Sequence, residues 1–229
     1  MIQLFGKLIS KDPNFYRTVA GIAIPIGLQG LITTGINMMD TIMIGTLGET
    51  ELSAVSLANQ FINIYQILCM GIGMGASVLV SRYYGMKDKV SMQKTVAIMT
   101  RFCLVIASVF ALLTCLFPGA IMRIYTVEDV IIQNGERYLS WSVVTYFLLG
   151  LSLTGTIVLR NVGQVKIPLF TSIGAFFVNI LANYMFIFGK LGAPAMGVAG
   201  AAIGTLIARI FEFSVIDGFH NSTSVVDRK

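Results

Sequence analysis

A carboxylate inside an apolar stretch is the first candidate for chemistry in this sequence. Asp40 lies within residues 22–48, which are otherwise apolar enough to cross a membrane. A charge at the centre of a lipid-facing helix costs about 2.5–3.5 kcal/mol on insertion scales. We therefore predict that Asp40 faces a protein-lined or water-filled cavity.

Uncharged polar residues recur at helical spacing along the same stretch and along the next apolar stretch. The first set, Gln29, Thr33, Asn37 and Asp40, is spaced four, four and three positions apart, and the second, Ser56, Asn59, Asn63 and Gln66, is spaced three, four and three apart. Residues at such spacings share one face of a helix, so each set forms a stripe and the two stripes predict a shared cavity. For each amide alone, hydrogen bonding between helices is the alternative. The predicted cavity-lining residues are Gln29, Thr33, Asn37, Asn59, Asn63 and Gln66.

Polar residues from other predicted spans reach a similar depth to Asp40. With a rise of 1.5 Å per residue, Asp40, Asn183 and Thr205 lie about 8–10 Å below the outer membrane boundary, and Asn179 lies about 14 Å below it. Asn179 and Asn183 are one turn apart and therefore share a face. Carboxylate, amide and hydroxyl oxygens suit Na⁺, and they also suit a carboxyl group that exchanges protons in a hydrogen-bonded pocket. The predicted cation-binding and coupling residues are Asp40, Asn179, Asn183 and Thr205.

The composition requires that membrane-spanning helices position these residues. The chain of 229 residues is 55% hydrophobic and 12% charged, with a mean hydropathy of +0.81, whereas soluble domains are about 25% charged. We expect an all-α fold, a polytopic transmembrane bundle in which each span needs roughly 20 residues. The six predicted spans lie near residues 18–47, 52–81, 95–117, 139–159, 168–188 and 198–216.

No enzyme activity, cofactor or nucleic-acid binding is predicted. The one histidine, His220, is near the end of the chain, and no constellation of nucleophile and base is visible. No metal site is predicted beyond possible Na⁺ binding at Asp40. The net charge of +5 is accounted for by basic loops, which are usual in membrane proteins.

The distribution of loop charges predicts the orientation of the bundle. Nine Lys and Arg residues fall in residues 1–17 and in the loops after the second and fourth spans, against three in the opposite loops. The positive-inside rule then places the N-terminus in the cytoplasm, and the expected location is the plasma membrane, which is the inner membrane in cells that have two. Tyr138 and Trp141 are expected in the aromatic belt at the outer end of the fourth span.

Three charged residues and one proline inside the spans carry separate expectations. We expect Arg101 to extend toward the cytoplasm, and Arg209 and Glu212, near the inner end of the sixth span, to do the same or to pair with each other. Pro25 removes a backbone donor and should bend the first span, where it would act as a hinge.

The two ends of the chain differ from the apolar lobe of residues 18–216. Residues 1–17 are predicted to form a cytoplasmic amphipathic lead-in, and residues 217–229 form an atypical polar tail. The apolar pattern is lost after Glu212. We interpret this loss as an interruption of a longer natural chain, for example by a frameshift or a gene-model boundary; a native flexible tail is the alternative.

Several segments, in order, resemble one family, the multidrug and toxic compound extrusion (MATE) transporters. The resemblance covers about residues 15 to 212 and implies that Na⁺ or H⁺ entry drives an organic cation or drug out of the cell. The matching segments are IAIPIGLQGLITTGINMMDTIMIGTLG, SAVSLANQ, GIGMGASVLVSRYYG, LRNVGQVKIPLF, VNILANYMFIFG and MGVAGAAIGTLIAR.

The resemblance also assigns individual residues. It places the family's first-helix aspartate at Asp40 and its proline at Pro25. Many members carry an Asn and an Asp one turn apart on the fifth helix, where this sequence has Asn179 and Asn183. The second position therefore lacks a negative charge, which leaves Asp40 as the carboxylate of the site. Thr205 corresponds to a hydroxyl on the sixth helix.

The family has twelve spans in two six-helix lobes, and this chain corresponds to the first lobe. The resemblance implies membrane lipid and a second six-span lobe as partners, or a homodimer. One alternative is a non-transporting six-span remnant that associates with another membrane protein. Another is a flippase for lipid-linked sugars, which needs several intramembrane basic residues, whereas Arg101 is the one basic residue well inside a predicted span.

Overall fold

The computed structural model describes residues 13–222, and in this part of the chain the backbone forms seven helices and no strands. All of them except α4 are long and apolar enough to cross a membrane, which confirms the all-α fold with six spans. The helices are α1 (Pro13–Gly45), α2 (Glu49–Gly85), α3 (Lys89–Leu116), α4 (Pro118–Arg123), α5 (Asp129–Asn161), α6 (Lys166–Phe188) and α7 (Val198–Ser222).

Three helices extend six or more residues beyond one end of their predicted spans, and one of them is α3, which begins at Lys89 instead of Thr95. Helix α5 begins at Asp129 instead of Leu139, because Ile131 and Ile132 are buried in the same apolar cluster as Met122 of α4. Helix α7 continues past the predicted end at residue 216 to Ser222. Residues 1–12 and 223–229, which hold most of the predicted lead-in and tail, lie outside the described residues.

The two ends of the bundle are distinguished by their tight connections. At one end, which we call the 46–48 end, residues 46–48 join α1 to α2, and Gly48 adopts a φ of 148° that other residues rarely tolerate. At the opposite, 86–88 end, Asp88 caps α3 by accepting a hydrogen bond from the Ser91 backbone N–H at 3.1 Å. The hydrogen bonds from Ser91 lower the pKa of Asp88.

The core consists of three clusters of buried apolar side chains that follow one another along the bundle. In the middle cluster the Tyr65 hydroxyl donates to the Tyr146 carbonyl at 2.7 Å, and the Thr114 hydroxyl donates to the Tyr146 hydroxyl at 3.1 Å. The rings of Tyr65 and Tyr146 also pack edge to face. These contacts join α2, α3 and α5 into one packed unit.

Helix α1 lies at the margin of that unit. It packs mainly along α6 and contacts α2 and α7 only lightly. Its buried side chains are Gln29, Met43 and Ile44. The helix is continuous through Pro25. Because α1 and α2 are held together chiefly near the 46–48 end, a space remains between them deeper in the bundle.

Candidate functional site

A cavity of about 310 Å³ occupies the space between α1, α2, α5 and α7. Half of its polar lining residues come from the two stripes seen in the sequence, so both stripes face the same cavity. The predicted residues that line this cavity, which we call the central cavity, are Thr33, Asn37, Asp40, Asn59, Asn63, Gln66 and Thr205.

Asp40 is held from behind by α6. Asn183 Nδ2 donates a hydrogen bond to Asp40 Oδ1 and lies 3.3 Å from Asn179 Oδ1. Both asparagine side chains are fully buried, whereas Asp40 is only partly buried. Hydrogen bonds to an ionised acceptor are roughly twice as strong as neutral ones. The amide of Asn183 therefore orients the carboxylate from behind. Asp40 lines the central cavity, whereas Asn183 does not.

A glycine on α7 makes room for this arrangement. A Cβ atom added at Gly204 would collide with Asn183 Oδ1, and one added at Gly200 would collide with the carbonyl of Phe186. Real Cβ atoms do not approach other atoms so closely. The two glycines therefore let α7 pack directly on α6, and Gly204 leaves room for the Asn183 side chain.

Helix α5 supplies a third polar stripe that the sequence interpretation missed. Tyr138, Ser142 and Thr145 line the central cavity at spacings of four and three, the same signal that identified the other two stripes. The Tyr138 hydroxyl donates to Asn59 Oδ1 at 3.1 Å. Thr145 Oγ1 is buried and has no hydrogen-bond partner among the described residues, so it is available to a water molecule or ligand in the cavity.

The expectation that Tyr138 belongs to an aromatic belt is therefore wrong. Tyr138 is 4% exposed and points into the bundle, whereas Trp141 is 48% exposed on its outside. The two residues are three positions apart, which is close enough for a shared interface but leaves them about 60° apart around the helix axis. The longer α5 also moves Tyr138 away from a helix end and toward the level of Asn59.

Gln29 does not line the central cavity, although it belongs to the α1 stripe. Its Nε2 donates to Ser172 Oγ at 3.0 Å, and its Oε1 accepts a hydrogen bond from Arg160 Nη2 at 2.7 Å. The face of α1 that opens onto the cavity at Asp40 packs against α6 nearer the 86–88 end. Gln29 therefore connects α1 to α5 and α6 and satisfies part of a half-buried guanidinium.

Arg209 and Glu212 form an ion pair inside the bundle, farther from the end of the helix than the sequence predicts. Arg209 Nη1 lies 2.6 Å from Glu212 Oε2, so the expected alternative of mutual pairing is correct. However, α7 continues to Ser222, so the pair lies within the helix and not at its end. Arg209 also lines the central cavity. Arg101, by contrast, is exposed on α3.

A second, smaller cavity adjoins the first. Its volume is about 30 Å³, which is close to the share of one water molecule in the liquid. We call it the side cavity. Glu212, Asn179 and Ser172 line it but not the central cavity, while Arg209 lines both. Asn179 Nδ2 is buried there without a hydrogen-bond partner among the described residues.

Comparison with known proteins identifies the family. The MatE family model matches residues 25–185, more than half of the chain. The chain is 27% identical over 213 residues to the "probable multidrug resistance protein NorM" of Thermotoga maritima, covering 90% of this chain and 45% of that protein. It is 26% identical over 188 residues to the "uncharacterized transporter YisQ" of Bacillus subtilis, covering 81% and 41% respectively.

Solved structures have the same fold. An outward-facing multidrug resistance MATE family transporter of the MOP superfamily superposes with a TM-score of 0.80 at 21% identity, over 93% of this chain and 47% of that one. The MATE multidrug transporter DinF-BH, in complex with R6G, superposes with a TM-score of 0.82 at 20% identity, over 90% and 46%. The chain spans about half the length of the relatives it matches. This multi-pass membrane protein belongs to the MatE family of multidrug and toxic compound extrusion transporters.

Proposed function

We propose that this chain is the amino-terminal lobe of an antiporter that exports organic cations or drugs across the plasma membrane in exchange for H⁺ or Na⁺. Membership of the MatE family and the multidrug resistance names of several relatives support this function. In the proposed orientation the N-terminus is cytoplasmic, and the 46–48 end faces outward. The matched length, about half of each relative, supports the assignment to one lobe.

The observation that carries the proposal is the position of Asp40. Its carboxylate forms part of the wall of a 310 Å³ cavity and is oriented by a buried amide. A single carboxylate in a region of low dielectric neutralises one positive charge favourably, and a second cation there would be unpaired. Binding of H⁺ or Na⁺ at Asp40 would therefore displace an organic cation. Competition for one negative charge would then link the two opposite movements.

The remaining predicted residues have supporting roles in this proposal. Thr205 and the amides of Asn59 and Asn63 would contact the substrate or the water around it, and Asn179 and Asn183 would hold Asp40 in position. Pro25 would let the part of α1 that carries Gln29 and Asp40 move relative to the part of the helix that precedes Pro25.

A second lobe, a second copy of the chain or lipid would cover the outer surface of α1 and α2. Large apolar side chains there are well exposed, among them Leu31, Met38, Ile67, Met74 and Val78. Such a surface is stable in contact with lipid or with another apolar protein surface. In the proposed transporter, rocking of this lobe against the second one would alternate access to the cavity.

The test is transport by an Asp40→Asn variant. The chain, expressed with its natural flanking sequence, is assayed for ethidium movement in membrane vesicles under an imposed H⁺ or Na⁺ gradient. We expect the variant to lose gradient-dependent movement. The matched control is Asp129→Asn, which removes an exposed carboxylate from the first turn of α5 and should transport normally. Undiminished, gradient-dependent transport by Asp40→Asn would overturn the proposal, and absence of transport by the unchanged protein would favour a non-transporting remnant.

A further inference from the structure

Arg209 lies between two carboxylates that belong to different cavities. It lines the central cavity together with Asp40, and it lines the side cavity together with Glu212, its partner at 2.6 Å. Asp40 and Arg209 are close enough to interact electrostatically. Neither the positive charge of Arg209 nor the negative charge of Glu212 is needed for Asp40 to bind a cation, so their presence beside the site requires an explanation.

The geometry of α7 allows Arg209 to reach either carboxylate. Helical side chains lean toward the N-terminus of their helix, and α7 begins at Val198, at the 46–48 end. The stem of Arg209 therefore leans toward the level of Thr205 and Asp40. Its guanidinium nevertheless pairs with Glu212, three residues in the opposite direction along the helix.

The pair with Glu212 is one that can exchange. A basic residue that precedes its acidic partner is the less favourable order for a helical ion pair. The Arg209 side chain keeps 26% of its surface exposed, against 12% for Glu212, so the guanidinium is open to the central cavity. An arginine also has five N–H donors, which lets it approach a second carboxylate before it leaves the first.

The side cavity offers Glu212 a substitute partner. Its volume of about 30 Å³ accommodates one water molecule. Asn179 Nδ2, buried and without a partner among the described residues, would donate to that water, which in turn would donate to the Glu212 carboxylate. Glu212 would then keep a hydrogen bond when Arg209 turns away, which reduces the cost of a buried carboxylate without its counter-charge.

Few other ionisable groups face this arrangement. From α5 the central cavity receives the Tyr138 hydroxyl, which donates to Asn59. From α6 the side cavity receives only the uncharged polar groups of Ser172 and Asn179, and the polar lining from α2 consists of amides and one serine. Among the described residues that line the two cavities, the charged groups are therefore Asp40, Arg209 and Glu212.

We propose that Arg209 is a movable counter-charge for Asp40, and that Glu212 is the positioning residue that competes for it. Arg209 pairs with Glu212 while Asp40 holds a proton, Na⁺ or the exported cation. When Asp40 is empty and ionised, Arg209 turns to it. The approach of the guanidinium helps to expel the bound cation, and Glu212 draws Arg209 back so that Asp40 can bind again. This inference rests on the proposed function and deepens it.

Carbodiimide labelling of Asp40 tests the competition directly, because the reagent modifies protonated carboxyl groups. Labelling is measured on the peptide that contains Asp40, by mass spectrometry, at a fixed pH at which the unchanged protein reacts. In Glu212→Gln, Arg209 has no competing carboxylate and stays with Asp40. We expect labelling of Asp40 to fall by about tenfold or more, because a neighbouring opposite charge lowers the proton affinity of a carboxyl group by one to three powers of ten.

Second-site variants separate this mechanism from a structural role. Arg209→Gln with Glu212→Gln should restore labelling, because no guanidinium is left to hold Asp40, and Glu212→Asp should restore part of it. Glu128→Gln, which removes an exposed carboxylate before α5, is the matched control. The proposal is overturned if Asp40 is labelled in Glu212→Gln as strongly as in the unchanged protein. It is also overturned if the double variant, shown to be folded by its thermal unfolding transition, fails to restore labelling.

If Glu212→Gln does not fold, Arg209→Gln alone still decides the question. It should label Asp40 more strongly than the unchanged protein does, and equal or weaker labelling would overturn the proposal. The labelling readout does not depend on transport. A protein that moves no cation would refute the proposed function, whereas the labelling series decides whether Arg209 is shared between the two carboxylates.

Discussion

Asn183 donates a hydrogen bond to Asp40 across the interface of α6 and α1, although the two residues are 143 positions apart. The donor is an amide and not a second carboxylate. An amide orients the Asp40 carboxylate without competing for its cation or sharing its proton. The site is therefore built around one negative charge from α1, with Glu212 as a second carboxylate in the neighbouring cavity.

Removal of the Asn183 amide should change cation binding at Asp40. A hydrogen bond to a charged group contributes about 1.5–3 kcal/mol, and this one stabilises the ionised carboxylate. Asn183→Leu should therefore raise the affinity of Asp40 for H⁺ by roughly tenfold or more, because the empty, ionised site loses its donor. The affinity is measured from the ion dependence of ethidium movement in vesicles. Ser140→Ala, an exposed site on α5 whose hydroxyl bonds to its own helix, serves as the control. An unchanged ion affinity in Asn183→Leu would show that the amide does not support Asp40.

Gly204→Ala should destabilise the bundle by about 1–3 kcal/mol, the usual cost of overpacking. The added methyl would collide with the Asn183 side chain and separate α7 from α6, so Asp40 would also lose its amide donor. Gly75→Ala is the matched control. It lies inside α2 with open space around it and should stabilise that helix by up to about 1 kcal/mol. Thermal unfolding in detergent compares the two variants, and equal melting temperatures would contradict the close approach of α6 and α7.

Gln29→Leu should affect stability more than substrate selection. The variant leaves the half-buried Arg160 guanidinium without its amide acceptor, which should cost about 1.5–3 kcal/mol. Thr34→Ala, an exposed α1 site whose hydroxyl bonds to Gly30, should leave the stability nearly unchanged. Thermal unfolding measures both effects. Normal stability of Gln29→Leu combined with altered substrate preference would instead support the original interpretation of Gln29 as a cavity-lining residue.

The cap of α3 should weaken in acid. The pKa of Asp88 is lowered because it accepts hydrogen bonds from Ser91. Its stabilising contribution is therefore complete above the pKa of the unfolded chain and is lost as the pH falls through the lower, folded value. Amide exchange at Ser91 measures it. Asp88→Ala should reduce protection near neutral pH and differ less from the unchanged protein in strong acid, whereas Asp88→Asn should keep the cap without the pH dependence. A constant difference across the pH range would contradict this account.

The membrane spans and most of the cavity could be predicted from local patterns in the sequence. Long apolar stretches have no stable alternative to helices in lipid, since every backbone group must be paired within the segment. The spacing of Thr33, Asn37 and Asp40 places them on one face whatever surrounds the helix. The same reasoning applied to Tyr138, Ser142 and Thr145 would have found the α5 stripe, but Tyr138 was assigned to the membrane interface.

The sequence by itself determined that this protein crosses a membrane as helices and that Asp40 faces a polar interior, because hydropathy and helical periodicity are properties of each segment alone. Only the tertiary structure decided that Asn183 donates to Asp40, that Gln29 binds Arg160 and that Arg209 lines the central cavity. These contacts depend on how closely and at what angle the helices cross. Residues such as Gly200 and Gly204 set that approach, so one face of a helix meets a neighbour at one level and a cavity at another.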